Sequence, residues 1–254
     1  MKKRKAGIGI FVIVLIITAV RVKSMDSHRI SGRILAENIA GPGMMRLVEQ
    51  SMQARAQKTS VTEIAVKEWK HPQAALTFDD GPDIRYTPLL LDGLKERNVR
   101  ASFFLLGEKV EQYPELVERM QKEGHLVGNH TYHHVQLNKL NETKAREEIL
   151  KTNNLIYETT GVYPLYLRPP FGAWKKNLEL CVEMLPVFWT IDTLDWKVKN
   201  TEKIVRTVKK QIEDGAIILM HDEYDTSVEA ALQVVDELKN QGYELVTVDQ
   251  LILP

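Results

Sequence analysis

From residue 74 onward, short apolar runs alternate with stretches in which apolar residues recur every three or four positions. The runs at 74–78, 101–105, 126–128, 166–168, 187–189, 216–220 and 243–248 predict strands. Helical periodicity between them predicts helices at 87–97, 114–123, 141–160, 177–184, 201–214 and 227–241. The punctuation agrees. Thr87-Pro88 offers an N-cap followed by proline at the first helical position, and Gly124 and Gly161 stand just past two helix ends. Repeated strand–helix units whose strands are apolar along their whole length imply an α/β fold with a parallel sheet. About seven strands predict a barrel-like closure.

Ahead of this body, residues 6–20 are uncharged and strongly apolar, behind the basic head Lys2-Lys3-Arg4-Lys5. That is the n-region and h-region of an export signal. As a helix the run spans about 22 Å at ~1.5 Å per residue, short of a ~30 Å hydrocarbon core. Arg21 and Lys23 could snorkel to make up the difference. Residues 22–24 make only a poor cleavage site, so 1–23 is read as an uncleaved signal anchor, with a cleaved signal as the alternative. The basic head keeps the N-terminus cytoplasmic and sends the rest outside the membrane. Residues 24–70 are read as a partly helical stalk or linker, and 71–254 as the catalytic-sized domain.

Composition sharpens this division. The 254 residues carry 34 basic and 34 acidic side chains, for a net charge of zero. Six of the basic ones lie in 1–23, which has no acid, so the remainder holds 28 against 34, a balance of −6. A mildly acidic body lacks the clustered basic face that nucleic acid requires. The single cysteine, Cys181, excludes an internal disulfide and a cysteine-rich zinc site. The helix faces suggest no oligomer.

The chemistry-bearing residues fall just after predicted strand ends: Asp79-Asp80, His130, Arg168, Asp192 and His221. In barrels and open α/β sheets alike, active sites form at the carboxyl ends of strands. Two adjacent carboxylates on the turn Asp79-Asp80-Gly81-Pro82 can point apart, one toward a metal and one free as a base. His130 and His134, four apart, share one face of a helical turn and can meet one metal ion; His133 points elsewhere. Two histidines and one carboxylate leave open positions, as catalytic metal sites require. His221 suits a proton donor, because imidazole titrates near neutrality. Asp192 or Asp195 could supply the carboxylate that fixes its tautomer. Arg168 could pair with a carboxylate or with substrate.

Thr77-Phe78-Asp79-Asp80-Gly81-Pro82, His130-Thr131-x-x-His134, Arg168-Pro169-Pro170-Phe171-Gly172, Asp192-x-x-Asp195-Trp196 and Leu219-Met220-His221 together resemble the five ordered motifs of the NodB-homology polysaccharide deacetylases. The resemblance covers about 70–250. It implies a distorted (β/α) barrel and metal-dependent removal of N-acetyl groups from amino sugars. It also implies the roles: Asp79 as base, Asp80, His130 and His134 as metal ligands, and Arg168 orienting Asp79. Asp192 would pair with the acid His221, the Phe171 amide would help hold the oxyanion, and Trp196 and Leu219 would line the acetyl pocket. Many relatives have tyrosine where this chain has Phe171, so any help from a hydroxyl is lost. The implied cofactor is a divalent metal, zinc first, with cobalt, nickel and manganese also suited to N/O ligands. The implied partner is an N-acetylated glycan, peptidoglycan ahead of chitooligosaccharide, reached by a monomer held to a bacterial membrane. Two other readings share these residues: an O-acetyl esterase of the xylan type, and a glycan-binding protein without turnover.

Overall fold

The computed structural model describes residues 71–174 and 184–252. The apolar run 6–20, the stalk 24–70, Cys181 and nearly all of the expected helix 177–184 lie outside the described residues. Among the described residues, no helix is long and apolar enough to cross a membrane.

Among the described residues there are eight strands: β1 (Gln73–Asp79), β2 (Ser102–Leu105), β3 (Leu126–Asn129), β4 (Tyr166–Leu167), β5 (Leu185–Pro186), β6 (Ile191–Asp192), β7 (Ala216–His221) and β8 (Glu244–Leu245). Every pairing is parallel. Seven strands run in the order β5-β4-β3-β2-β1-β7-β6, and β8 pairs with the start of β1. The helices are α1 (Tyr86–Glu96), α2 (Gly107–Gln112), α3 (Pro114–Lys122), α4 (Glu142–Thr160), α5 (Asp195–Val198), α6 (Thr201–Gln211), α7 (Asp225–Asn240) and α8 (Val248–Ile252).

The expected α/β fold with a parallel sheet is present, but the sheet curls into an open half-barrel. No ladder joins the end strands β5 and β6 among the described residues. Residues 187–190 run between those edges, and the buried Arg168 guanidinium reaches them. Its Nε and an Nη donate to the Val187 and Phe188 carbonyls at 3.4 and 3.3 Å. A side chain thus satisfies backbone that a ladder would otherwise claim.

β1 is buried along its whole length. Ala74, Leu76 and Phe78 belong to the main core with Leu90, Leu91 and Leu94 of α1 and Val234, Val235 and Leu238 of α7. The alternate positions Ala75, Thr77 and Asp79 face the other way, as the two-residue strand period requires. There Ala75 packs with Phe104 and Tyr166, while Thr77 and Asp79 meet Arg168. Register sets the level of the site: Asp79 lies opposite His221 across the β1–β7 ladder.

Several boundaries differ from expectation. Helix α1 starts at Tyr86, and Thr87 is no N-cap: its hydroxyl accepts from the Asp83 N–H at 2.7 Å and donates to Asp222. The expected strand 187–189 is displaced to Leu185–Pro186, and 243–248 shortens to Glu244–Leu245 because Val248 opens α8. Strand β6 and helix α2 are too short to leave a periodic signal. Helix α4 ends at Gly161 as read from sequence, with Gly161 in the left-handed conformation, while Asn141 is its cap and not its first residue, accepting from the Lys144 N–H at 2.9 Å.

Candidate active site

The turn after β1 separates its two carboxylates. Asp80 has φ 70°, a left-handed backbone that aspartate tolerates better than most residues. Asp79 stays buried and accepts from an Arg168 Nη at 2.8 Å. Arg168 is itself fully buried, against the Phe104 ring at 4.2 Å, and the same Nη donates to the Thr77 hydroxyl at 2.6 Å. Burial pulls its guanidinium down from the usual range, against the opposing pull of Asp79.

Asp80 turns toward the histidines. Its Oδ1 lies 3.4 Å from Nε2 of His130 and 3.4 Å from Nε2 of His134, and its Oδ2 lies 3.8 Å from Nε2 of His221. Burial pushes the Asp80 carboxyl up, but His130, with His134 and His221, holds it well below the usual carboxylate range. Burial pulls the His134 imidazole down, partly offset by Asp80. The histidines reach this place without a helical turn. Residues 130–134 form an irregular loop with Thr131 at φ 65° and His134 at φ 54°. The helix reading fails because those two left-handed residues break the regular turn.

The chemistry of this donor set fits a divalent cation. The Asp80, His130 and His134 ligand atoms all lie within 4.8 Å of one another. His130 Nδ1–H donates to the Arg168 carbonyl at 2.6 Å, which leaves Nε2 with its lone pair facing the site. Asp80 Oδ1 is buried and has no hydrogen-bond partner. A buried carboxylate oxygen facing an imidazole lone pair is costly unless a cation joins them.

His221 faces the trio from the end of β7. Its Nδ1 lies 2.8 Å from Asp195 Oδ1, and its backbone N–H donates to Asp195 Oδ2 at 2.8 Å. Burial alone would lower the imidazole, but Asp195, helped by Asp79 and Asp80, raises it to about 9. His221 in turn draws the buried Asp195 carboxyl down, against burial.

The expected pairing of Asp192 with His221 is therefore corrected: the partner is Asp195. Leu194, left-handed at φ 52°, reverses the chain so that Asp195 points back at His221. Asp192 Oδ1 instead accepts from the Leu194 N–H at 2.9 Å.

One cleft of about 520 Å³ gathers Asp79, Asp80, His130, His134, Phe171, Asp192, Trp196, Leu219 and His221. Arg168 does not line it and acts from below. Phe171 is 62% exposed, at φ 59°, with its ring centroid 4.5 Å from that of His134. Trp189, Glu223 and Tyr224 also line the cleft and escaped sequence reasoning. Their signal was position, since Glu223 and Tyr224 follow His221 off the same strand end. Asp222 escaped it too. Its fully buried carboxylate accepts from Thr87 and sits under the β1 turn, where a Cβ on Gly81 would come within 2.6 Å of Asp222 Oδ1.

Comparison with known proteins agrees with this geometry. Residues 67–187 match the family model described as polysaccharide deacetylase. The Listeria monocytogenes peptidoglycan-N-acetylglucosamine deacetylase PgdA is 44% identical over 177 residues, covering 70% of this chain and 38% of the relative. The chain thus spans well under half the length of that relative. A Bacillus cereus peptidoglycan-N-acetylglucosamine deacetylase is 40% identical over 186 residues, 70% of this chain and 68% of the relative. The solved structure of peptidoglycan deacetylase PdaC from Bacillus subtilis superposes with a TM-score of 0.70 at 42% identity, covering 72% of this chain and 91% of that one.

Proposed function

The chain belongs to the polysaccharide deacetylase family, and we propose that it hydrolyses N-acetyl groups from the amino sugars of a bacterial cell-wall glycan. Peptidoglycan comes ahead of chitooligosaccharide, because the similar proteins are described as peptidoglycan deacetylases. The observation that carries the reading is the meeting of Asp79, His221 and the Asp80/His130/His134 trio in one cleft.

Asp80, His130 and His134 would hold a divalent metal, zinc before cobalt, nickel or manganese, which supplies Lewis acidity toward an acetyl carbonyl and a water molecule. Arg168 donates to Asp79 and keeps it aimed, so Asp79 can take a proton from the attacking water. The Phe171 N–H donates to the carbonyl oxygen as charge builds on it. His221, held in one orientation by Asp195 and raised to about 9, enters protonated at neutral pH. It gives that proton to the sugar nitrogen as the C–N bond breaks, and acetate leaves with the oxygen of the water. Trp196 and Leu219 form the apolar wall for the acetyl methyl group.

The basic head and apolar run of residues 2–20 support a single-pass anchor with the catalytic domain outside the cytoplasmic membrane, spaced from it by 24–70; we further propose that it acts as a monomer. Protease accessibility in intact cells and light scattering of the detergent-extracted chain check these points. Activity is tested by mass spectrometry of acetate loss from N-acetylglucosamine- and N-acetylmuramic-acid-containing wall fragments and from chitin oligomers, with metal controlled. Metal-dependent loss of one acetyl group per sugar is the expected result. Undiminished turnover by metal-stripped protein, or no acetate loss from any of the three, refutes the reading.

A further inference from the structure

The loop that carries two of the three proposed metal ligands has no ladder or helix to hold it, so its backbone groups need other partners. They find them on two helices. From one side, the N–H groups of Gly107 and Glu108 at the start of α2 donate to the carbonyls of Thr131 and Tyr132 at 3.0 and 3.3 Å. From the other side, one carboxylate does most of the work. Glu148 Oε2, on α4, accepts from the N–H groups of Tyr132 at 3.0 Å and His133 at 2.9 Å. Glu148 Oε1 lies 2.8 Å from His133 Nδ1. Asn129, itself tied to α4 through the Ile149 carbonyl and Asn153, accepts from the Thr131 N–H at 2.7 Å.

The loop also contains two non-glycine residues in the left-handed region, Thr131 at φ 65° and His134 at φ 54°. Such conformations persist only where surrounding contacts over-determine them. The Glu148 side chain is 16% exposed, whereas the His133 side chain it touches is 58% exposed. Its strength therefore lies in the two backbone bonds rather than in the imidazole contact.

We propose that Glu148 is a positioning residue for the metal site: by holding the 132–133 backbone it fixes where His134 stands relative to His130 and Asp80, and so sets the affinity of the trio for a divalent cation. The inference rests on the metal reading given above. It assigns Glu148 no contact with substrate.

The test is a cobalt(II) titration of the metal-stripped full-length protein, followed by visible ligand-field absorption and repeated with zinc by competition against a chromogenic chelator. Glu148→Ala should weaken both metals by about 10- to 100-fold, the usual effect of losing a group that orients a ligand. Glu148→Asp keeps the charge but withdraws it by one methylene, and it should also weaken binding. His133→Ala removes only the imidazole contact and should stay within about twofold of wild type on the same scale. Turnover by Glu148→Asp at saturating metal should return close to wild type, which loss of a catalytic group would not allow. Metal affinities of both Glu148 variants equal to wild type, with only the thermal midpoint of the metal-free protein lowered, would make Glu148 a fold-stabilising residue and overturn the inference. Failure of the wild-type chain to bind either metal would overturn the metal site itself, and this inference with it.

Discussion

Replacing Asp222 by Asn should stabilise this protein above neutrality and change it little near pH 4. Asp222 is fully buried next to His221, takes a hydrogen bond from Thr87, and leaves its Oδ1 without a partner. Burial pushes its carboxyl from the ordinary 3.8 up to about 7, and the Thr87 hydroxyl and nearby Lys109 offset this only in part. The folded state therefore keeps a proton that the unfolded chain releases. Stability from this group is intact below pH 3.8 and is lost progressively as pH rises to about 7, where the ionised carboxylate must be accommodated. At about 1.36 kcal/mol per pH unit the full loss is ~4 kcal/mol, with no solvent discount for a group this buried. Asn has nearly the same shape and never ionises, so the variant escapes that loss. The assay is urea unfolding of metal-stripped wild type and Asp222→Asn between about pH 4 and pH 8.5, with the difference in unfolding free energy plotted against pH. The difference should grow with pH and level off above about 7. A difference that stays flat within ~1 kcal/mol across that range would show that Asp222 is not held protonated, and the burial argument would fail.

Four further outcomes follow from the same geometry. Asp79→Asn should lower kcat by about 10²–10⁴-fold while cobalt binding is retained, since Asp79 is assigned the proton and not the metal; parallel loss of metal would contradict that division. Asp195→Ala should lower kcat and move the alkaline limb of the pH–rate profile to lower pH, because Asp195 helps raise His221 to about 9 and an acid works only below its pKa. Asp192→Ala should leave that limb in place, and a shift there instead would restore the pairing the structure rejects. Gly81→Ala should destabilise the fold by ~1–3 kcal/mol through overpacking against Asp222, and Asp222→Ala should relieve much of it in the double variant.

Much of this architecture is legible in the chain. The continuous apolar run of β1 and the periodic α4 and α7 are long enough to reveal themselves, and a parallel sheet then places all strand ends on one side. Asp79, Asp80, His130, Asp192 and His221 are found together for that reason. Short elements are not legible in the same way. Strands β5 and β6 have two residues each, so their existence depends on neighbours such as the Ile218 and Leu219 positions that β6 pairs with. The distorted barrel appears as a curled half-barrel whose end strands β5 and β6 share no ladder among the described residues, and nothing local reports whether two-residue edges will meet.

By itself, then, the sequence determined which side chains stand at the strand ends and in what order, because strand period and parallel topology are set by local pattern. It also showed that two adjacent carboxylates on the turn Asp79-Asp80-Gly81-Pro82 can point apart. Only the tertiary structure decided which carboxylate holds His221. Asp192 and Asp195 are three residues apart and chemically identical, and the choice turned on a left-handed Leu194 that no propensity specifies. It likewise decided that His130 and His134 meet through a strained loop instead of a helical turn, with Glu148 of α4 accepting the backbone hydrogen bonds. Such choices depend on contacts between residues far apart in sequence, and those contacts exist only once the sheet has assembled.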